Sequence, residues 1–250
     1  MRRSQTPLRK KGRLVSTSAS PLAHHDVALR QRVIAEFVGT LILGAIVVGS
    51  GIAVAQMYAA GTLANFNECI VITVLGLFVL ISTFGPISGA HFNPIVTLAA
   101  AWNKRLDWAD ALPYISAQIV GCTLGCVLAN VLFGKPAIFL ATTPRASTSH
   151  VVSEVVATAG LILVVFTLTR ANIVQRGRFV VPAYIGVACF FTSSTCFANP
   201  AVTIARMFSN TASGIAPASV LPFLVAQMVG GVIGVAVAAL LTPHAHKEFQ

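Results

Sequence analysis

The residues best placed to do chemistry are two asparagines, Asn93 and Asn199, each followed by proline in a stretch that says nearly the same thing twice. The stretches are Asn93-Pro94-Ile95-Val96-Thr97-Leu98-Ala99 and Asn199-Pro200-Ala201-Val202-Thr203-Ile204-Ala205. Proline fits the first turn of a helix, where its missing N–H would be unpaired anyway, so each Asn-Pro reads as a cap followed by a new helix. A helix start carries unpaired N–H groups and about half a positive charge. Two starts facing one point repel cations and hydrated protons and leave neutral molecules unhindered. Each asparagine can cap its helix and still offer an amide N–H to a passing oxygen. The plainer reading, that each asparagine only caps a buried helix, explains one such box better than a matched pair, since idle polar groups are costly in a membrane.

The surroundings of the boxes are those of a membrane protein. The 250-residue chain is 56% hydrophobic and 10% charged, with mean hydropathy +0.81. Uncharged stretches cover 37–67, 69–103, 111–134, 155–169, 179–205 and 207–246. A span needs roughly 20 apolar residues, so the expectation is an all-α integral membrane protein with six transmembrane helices and two re-entrant half-helices. The spans are placed near 33–57, 68–84, 109–133, 151–168, 179–195 and 220–241. The half-helices start at Pro94 and Pro200, and a Gly85-Pro86 break is expected to end the second span.

The net charge of +10 does not point to nucleic acid. Eight of the seventeen Lys and Arg residues precede the first span, and a basic flank there is an orientation signal and a contact for anionic lipid. Residues 1–29 lack an apolar run and read as a disordered cytoplasmic tail, 30–242 as the channel domain and 243–250 as a second cytoplasmic tail. Counting basic residues by loop puts both termini in the cytoplasm of a cell that carries the protein in its inner, or plasma, membrane. The five cysteines form no CxxC pair and read as buried small hydrophobes. The histidines are too scattered for a metal site, no nucleophile–base–acid set is present, and no cofactor is implied.

The chain repeats itself. The boxes align at an offset of 106, and Pro113, Gln118, Gly121 and Gly125 align with Pro222, Gln227, Gly230 and Gly234 at an offset of 109. Glycines four apart allow close helix contact. Three spans per half is an odd number, so the second half enters the membrane from the opposite side. Such an inverted repeat puts its site at the midplane, between interrupted helices. Glu36 and Glu154 open the two halves. They are either proton-relay carboxylates or acceptors for the re-entrant backbone, and the second is favoured because that backbone needs partners and no Lys or Arg lies beside them in the spans.

These residues carry a family resemblance: Ala35-Glu36-Phe37-x-Gly39-Thr40, Ser88-Gly89-Ala90-His91-Phe92-Asn93-Pro94, Glu154, and Asn199-Pro200-Ala201. Together with the Gln118/Gln227 repeat, the sequence resembles the aquaporin, or major intrinsic protein, family over about 30–242. The resemblance implies a homotetramer in the lipid bilayer whose partners are small neutral solutes. His91 either lines the inner vestibule, as the resemblance implies, or hydrogen-bonds in the core. The family's filter positions, carried over by distance from the asparagines, fall on Thr73, Val187, Cys196 and Val202. Most members have Arg where this chain has Val202. Arg206 lies about one helical turn further on, where it can approach the same face without being the family's filter residue. The filter is therefore expected to be wide and largely apolar, with a hydroxyl and a thiol at Thr73 and Cys196. Ile95, where the first box usually has Ala, is a second departure of unknown direction. The second box and its flank also resemble bacterial aquaglyceroporin-like members associated with arsenic resistance.

The function expected is a passive channel for metalloid hydroxides such as arsenite, glycerol-like polyols and water. A strict water channel is the nearest alternative, and an ion-coupled secondary transporter a more distant one.

Overall fold

The computed structural model describes residues 27–57 and 63–241; both expected tails lie largely outside the described residues. Six long helices and two short ones make up the fold. The long ones are α1 (Leu29–Met57), α2 (Leu63–Ser88), α4 (Trp108–Leu132), α5 (Thr148–Arg170), α6 (Gly177–Phe191) and α8 (Pro217–Leu241), and the short ones are α3 (Pro94–Trp102) and α7 (Pro200–Ala205). Among the described residues one 3₁₀ turn, Val174–Arg176, leads into α6 and another, Arg206–Phe208, continues α7. Five of the long helices are apolar and long enough to cross a membrane. The exception is α6, whose 15 residues reach only about 22 Å at 1.5 Å per residue. Leu75, Val79, Leu112, Val187 and Val232 stand exposed on helix surfaces, as lipid-facing side chains do.

The halves are built alike. In the first, α1 packs on α4; in the second, α5 packs on α8. The matched glycines are the reason these pairs come so close. A Cβ on Gly121 or Gly125 would collide with the carbonyl oxygens of Phe37 or Leu41, and one on Gly230 or Gly234 with those of Val155 or Ala159. Backbone therefore lies against backbone at both seams, and small residues are what permit it.

The Gly85-Pro86 pair does not end α2, which runs through Pro86 to Ser88. Proline removes one helical hydrogen bond, and so close to the helix end the loss is small. The terminator is Gly89, whose φ of 89° is open to glycine without penalty and whose N–H bonds the carbonyl of Gly85 at 3.0 Å. The connection from α4 to α5 is tied to the exit from α7: Phe139 and Ala141 donate to the carbonyls of Phe208 and Met207 at 3.1 and 2.9 Å.

Candidate functional site: a pore built on two Asn-Pro boxes

Asn93 and Asn199 cap α3 and α7. The Asn93 side chain accepts from the Ile95 N–H at 2.9 Å, and that of Asn199 accepts from Ala201 at 3.0 Å. Pro94 and Pro200 occupy the first helical positions. The caps also lock the halves together: Asn93 Nδ2 donates to the Ala198 carbonyl at 2.7 Å, and Asn199 Nδ2 donates to the Phe92 carbonyl at 2.8 Å. An amide nitrogen has two hydrogens, so after this exchange each asparagine keeps one N–H for the cavity it lines.

The loops that lead into the caps take the same unusual path. Gly89, Ala90 and Phe92 have φ values of 89°, 50° and 49°, and Thr195, Cys196 and Ala198, each 106 positions on, have 62°, 50° and 43°. A left-handed backbone is costly for residues with a side chain, and buried carboxylates hold it in place. Glu36 accepts from Ser88 Oγ at 2.6 Å, His91 N at 2.9 Å, Phe92 N at 2.7 Å and Gln118 Nε2 at 2.7 Å. Glu154 accepts from Phe197 N at 2.9 Å, Ala198 N at 2.8 Å and Gln227 Nε2 at 2.7 Å. The same glutamines donate at 2.8 Å to Thr97 and Thr203 on the half-helices. These Gln–Thr links were not singled out as site residues from sequence, although a Gln at matched depth in two apolar spans is the signal for them.

Through this frame runs one continuous cavity of about 730 Å³. Following the helices, it passes from Arg32 and Arg105, past His91, Asn93, Val96, Asn199 and Val202, to Ser50, Arg145, Arg206 and Ser213. Four arginines line it, and no carboxylate among the described residues does. At one end Arg32 pairs with Asp110 at 2.8 Å. At the other, Arg206 Nε donates to the Ser213 carbonyl, and its guanidinium sits 3.5 Å from the centroid of the Phe197 ring. Arg145 approaches the same ring at 5.4 Å and donates to the carbonyls of Gly214 and Ala212, both at 2.8 Å. Burial pushes the Arg145 guanidinium below its usual value, and the charge of Glu154 works against that.

The remaining predicted positions separate. Thr73, Cys196 and Val202 line the cavity. Val187 does not: it is 61% exposed on the outside of α6, and Ile185 and Cys189 line the cavity instead. Two helical residues turn the chain by about 200°, so a count that crosses the irregular 192–199 segment lands on the wrong face. The neighbouring Ala188 is fully buried between helices. Arg206, placed by the sequence one turn beyond Val202 and within reach of the same face, is in the cavity wall. Ile95 is 3% exposed and is not in the cavity wall; its Cγ2 occupies the space that a side chain on Gly231 of α8 would fill. His91 lines the cavity and also hydrogen-bonds, Nδ1 to Thr97 Oγ1 at 3.2 Å.

Known proteins share this architecture. The family described as Major intrinsic protein matches residues 23–198, more than half the chain. The chain belongs to the major intrinsic protein family. Among its relatives is the aquaglyceroporin AqpS of Rhizobium meliloti (strain 1021), 39% identical over 208 residues, which cover 83% of this chain and 88% of the relative. Another is the glycerol uptake facilitator protein of Streptococcus pneumoniae, 35% identical over 184 residues, covering 66% of this chain and 77% of the relative. The X-ray structure of the aquaglyceroporin from Plasmodium falciparum superposes with a TM-score of 0.69 at 21% identity, covering 86% of this chain and 98% of that one, and so shares the fold. As a member of the family the chain is a multi-pass membrane channel of the aquaglyceroporin type.

Proposed function

We propose that this major intrinsic protein is a passive channel for small uncharged solutes, passing glycerol-like polyols and metalloid hydroxides such as arsenous acid as well as water. The observation that carries this reading is the continuous cavity with two asparagine N–H groups at its middle, four arginines along its wall and no carboxylate among its described lining residues. Cations meet positive charge throughout, and a hydroxyl oxygen finds donors at the centre. An ion-coupled transporter needs a cation site in the membrane, and here both buried carboxylates are already occupied by the loops they hold.

In this reading Thr73, Cys189, Cys196 and Val202 form the selectivity region. Val202 leaves room where a large side chain would close the pore, and Arg206 supplies positive charge from one turn away. Glu36 and Glu154 serve the re-entrant loops, and His91 lines the vestibule on the Arg32 side. That side faces the cytoplasm with both termini, and the protein assembles as a homotetramer in the plasma membrane. The names of two relatives, an aquaglyceroporin and a glycerol uptake facilitator, support a polyol-sized pore.

Stopped-flow measurements on proteoliposomes test the reading. Water, glycerol, urea and arsenite fluxes are expected to follow the solute gradient and to stay linear to high concentration. Water flux with no glycerol flux would instead make this a strict water channel, the outcome Arg206 favours if its guanidinium narrows the pore. Saturation together with dependence on a proton or sodium gradient would overturn the channel altogether.

A further inference from the structure

Two cavity-lining thiols take no part in holding the boxes. Cys189 stands near the end of α6, and Cys196 lies in the loop before the second box. Both are free and both line the cavity. Cys189 Sγ donates to the carbonyl of Thr195, the residue next to Cys196, at 3.4 Å, and Cys189 packs against the buried cluster that includes Cys196. Neither sulfur is on a floppy support. Helix α6 carries one, and the other sits between Thr195 and a Phe197–Ala198 backbone pinned to Glu154 at 2.9 and 2.8 Å. The other close pair, Cys122 and Cys126 on α4, is buried and does not reach the cavity.

We propose that Cys189 and Cys196 form a dithiol site for trivalent arsenicals inside the pore. Sulfur is a soft donor and prefers soft acceptors. Once one As–S bond forms, the second thiol attacks intramolecularly, at a high effective concentration. A pyramidal trivalent arsenic bridges two sulfurs held close together, whereas a linear two-coordinate ion needs them further apart. The step is a condensation: CH₃As(OH)₂ with two S–H groups gives CH₃As(S–)₂ and two waters. Two As–O and two S–H bonds break, two As–S bonds form, each thiol proton leaves in a water, and no oxidant or reductant is needed. The bridge would stand beside Val202 and close the passage. A solute that the pore admits would thus also shut it.

The block, though not the site, rests on the proposed channel function. The test uses the full-length protein, reduced and freed of reductant, with methylarsonous acid as the probe. Intact mass in detergent is read first and glycerol flux in liposomes second, each variant being compared with its own untreated flux. The expected result is one CH₃As bridge per wild-type chain, with glycerol flux falling to the level of empty liposomes. Cys189→Ser and Cys196→Ser should each lose both adduct and block, while Cys69→Ser, a third thiol on the cavity wall, should keep them. An adduct or block that survives in either of the first two variants overturns the proposal, as does a wild type with no adduct. Absence of glycerol flux before treatment counts against the channel and leaves the mass readout to decide the site. Should the serine variants fail to fold, the wild type still decides. Reversal by 2,3-dimercaptopropanol but not by an equal thiol concentration of 2-mercaptoethanol is expected, and ready reversal by the monothiol refutes a two-sulfur bridge.

Discussion

The loops entering the two boxes share one backbone and differ in what they carry on it. Ser88-Gly89-Ala90-His91-Phe92 and Ser194-Thr195-Cys196-Phe197-Ala198 have positive φ at the same places, donate to equivalent carboxylates and end in equivalent asparagines. Beyond that they part. Ser88 Oγ bonds Glu36 at 2.6 Å, whereas Ser194 Oγ is buried with no hydrogen-bond partner. Gly89 takes its left-handed conformation freely, while the equivalent Thr195 takes it with a β-branched side chain, which costs more. Ala90 becomes a thiol at Cys196, His91 becomes the Phe197 ring that seats Arg206, and Arg206 itself stands where the first half has Ala100. Symmetry is kept where backbone must be held in the membrane and given up in the side chains that face the cavity. The first loop is therefore the better satisfied, and the second, which carries the proposed filter residue Cys196, holds more strain.

The sharpest way to break this comparison is to remove the carboxylates. Glu36→Leu strands two backbone N–H groups together with Ser88 and Gln118; Glu154→Leu strands two N–H groups and Gln227. A buried group without its partner costs about 1–3 kcal/mol, so both variants should lose most of their folded protein in size-exclusion profiles, Glu36→Leu the more severely. Equal losses would show that the extra serine bond adds nothing.

Next in size is the Ile95–Gly231 contact. Ile95 is to Gly231 as Ala201 is to Cys122: the large residue faces the small one in one half, and two small residues share a buried cluster in the other. Gly231→Ala forces a methyl against Ile95 Cγ2 and should destabilise by about 1–3 kcal/mol. In a chain already carrying Ile95→Ala, the same change should cost little. Additive melting shifts across that double-mutant cycle would mean the two residues do not share the space.

Strain provides a smaller effect of opposite sign. Thr195→Gly relieves a left-handed β-branched residue and should raise stability by about 1 kcal/mol, while Gly89→Thr should lower it by a similar amount. Thermal unfolding in detergent reads both, and a destabilised Thr195→Gly would contradict the strain argument. The smallest expected effect is on ion exclusion. Arg206→Gln should leave glycerol flux largely in place and raise the proton leak of loaded liposomes, whereas Ala100→Gln, its counterpart in the first half, should change the leak little.

Much of the frame was legible in the sequence because its causes are local. An Asn before a Pro in an apolar run specifies a capped helix through neighbours one to three residues away, and α3 and α7 begin where Pro94 and Pro200 said they would. Apolar length announced the spans, and the matched glycines announced a close seam on α4 and another on α8, whose partners α1 and α5 only the structure shows. Gly85-Pro86 misled because a proline in a last turn costs little; the true stop, Gly89, was visible in the sequence but unread. Val187 misled because angular position on α6 does not carry across a loop of unknown path.

The sequence by itself determined the membrane class, the inverted repeat, the two caps and a matched glutamate opening each half, since apolar length, periodic spacing and capping chemistry act over a few residues. Only the tertiary structure decided which groups meet across the molecule: Asn93 with Ala198, Asn199 with Phe92, Ile95 with Gly231, Arg206 with Phe197, and Cys189 with the loop of Thr195 and Cys196. The physical reason is that these meetings depend on how helices rotate and how left-handed loops are pinned. Packing between distant segments fixes both, and no local pattern encodes them.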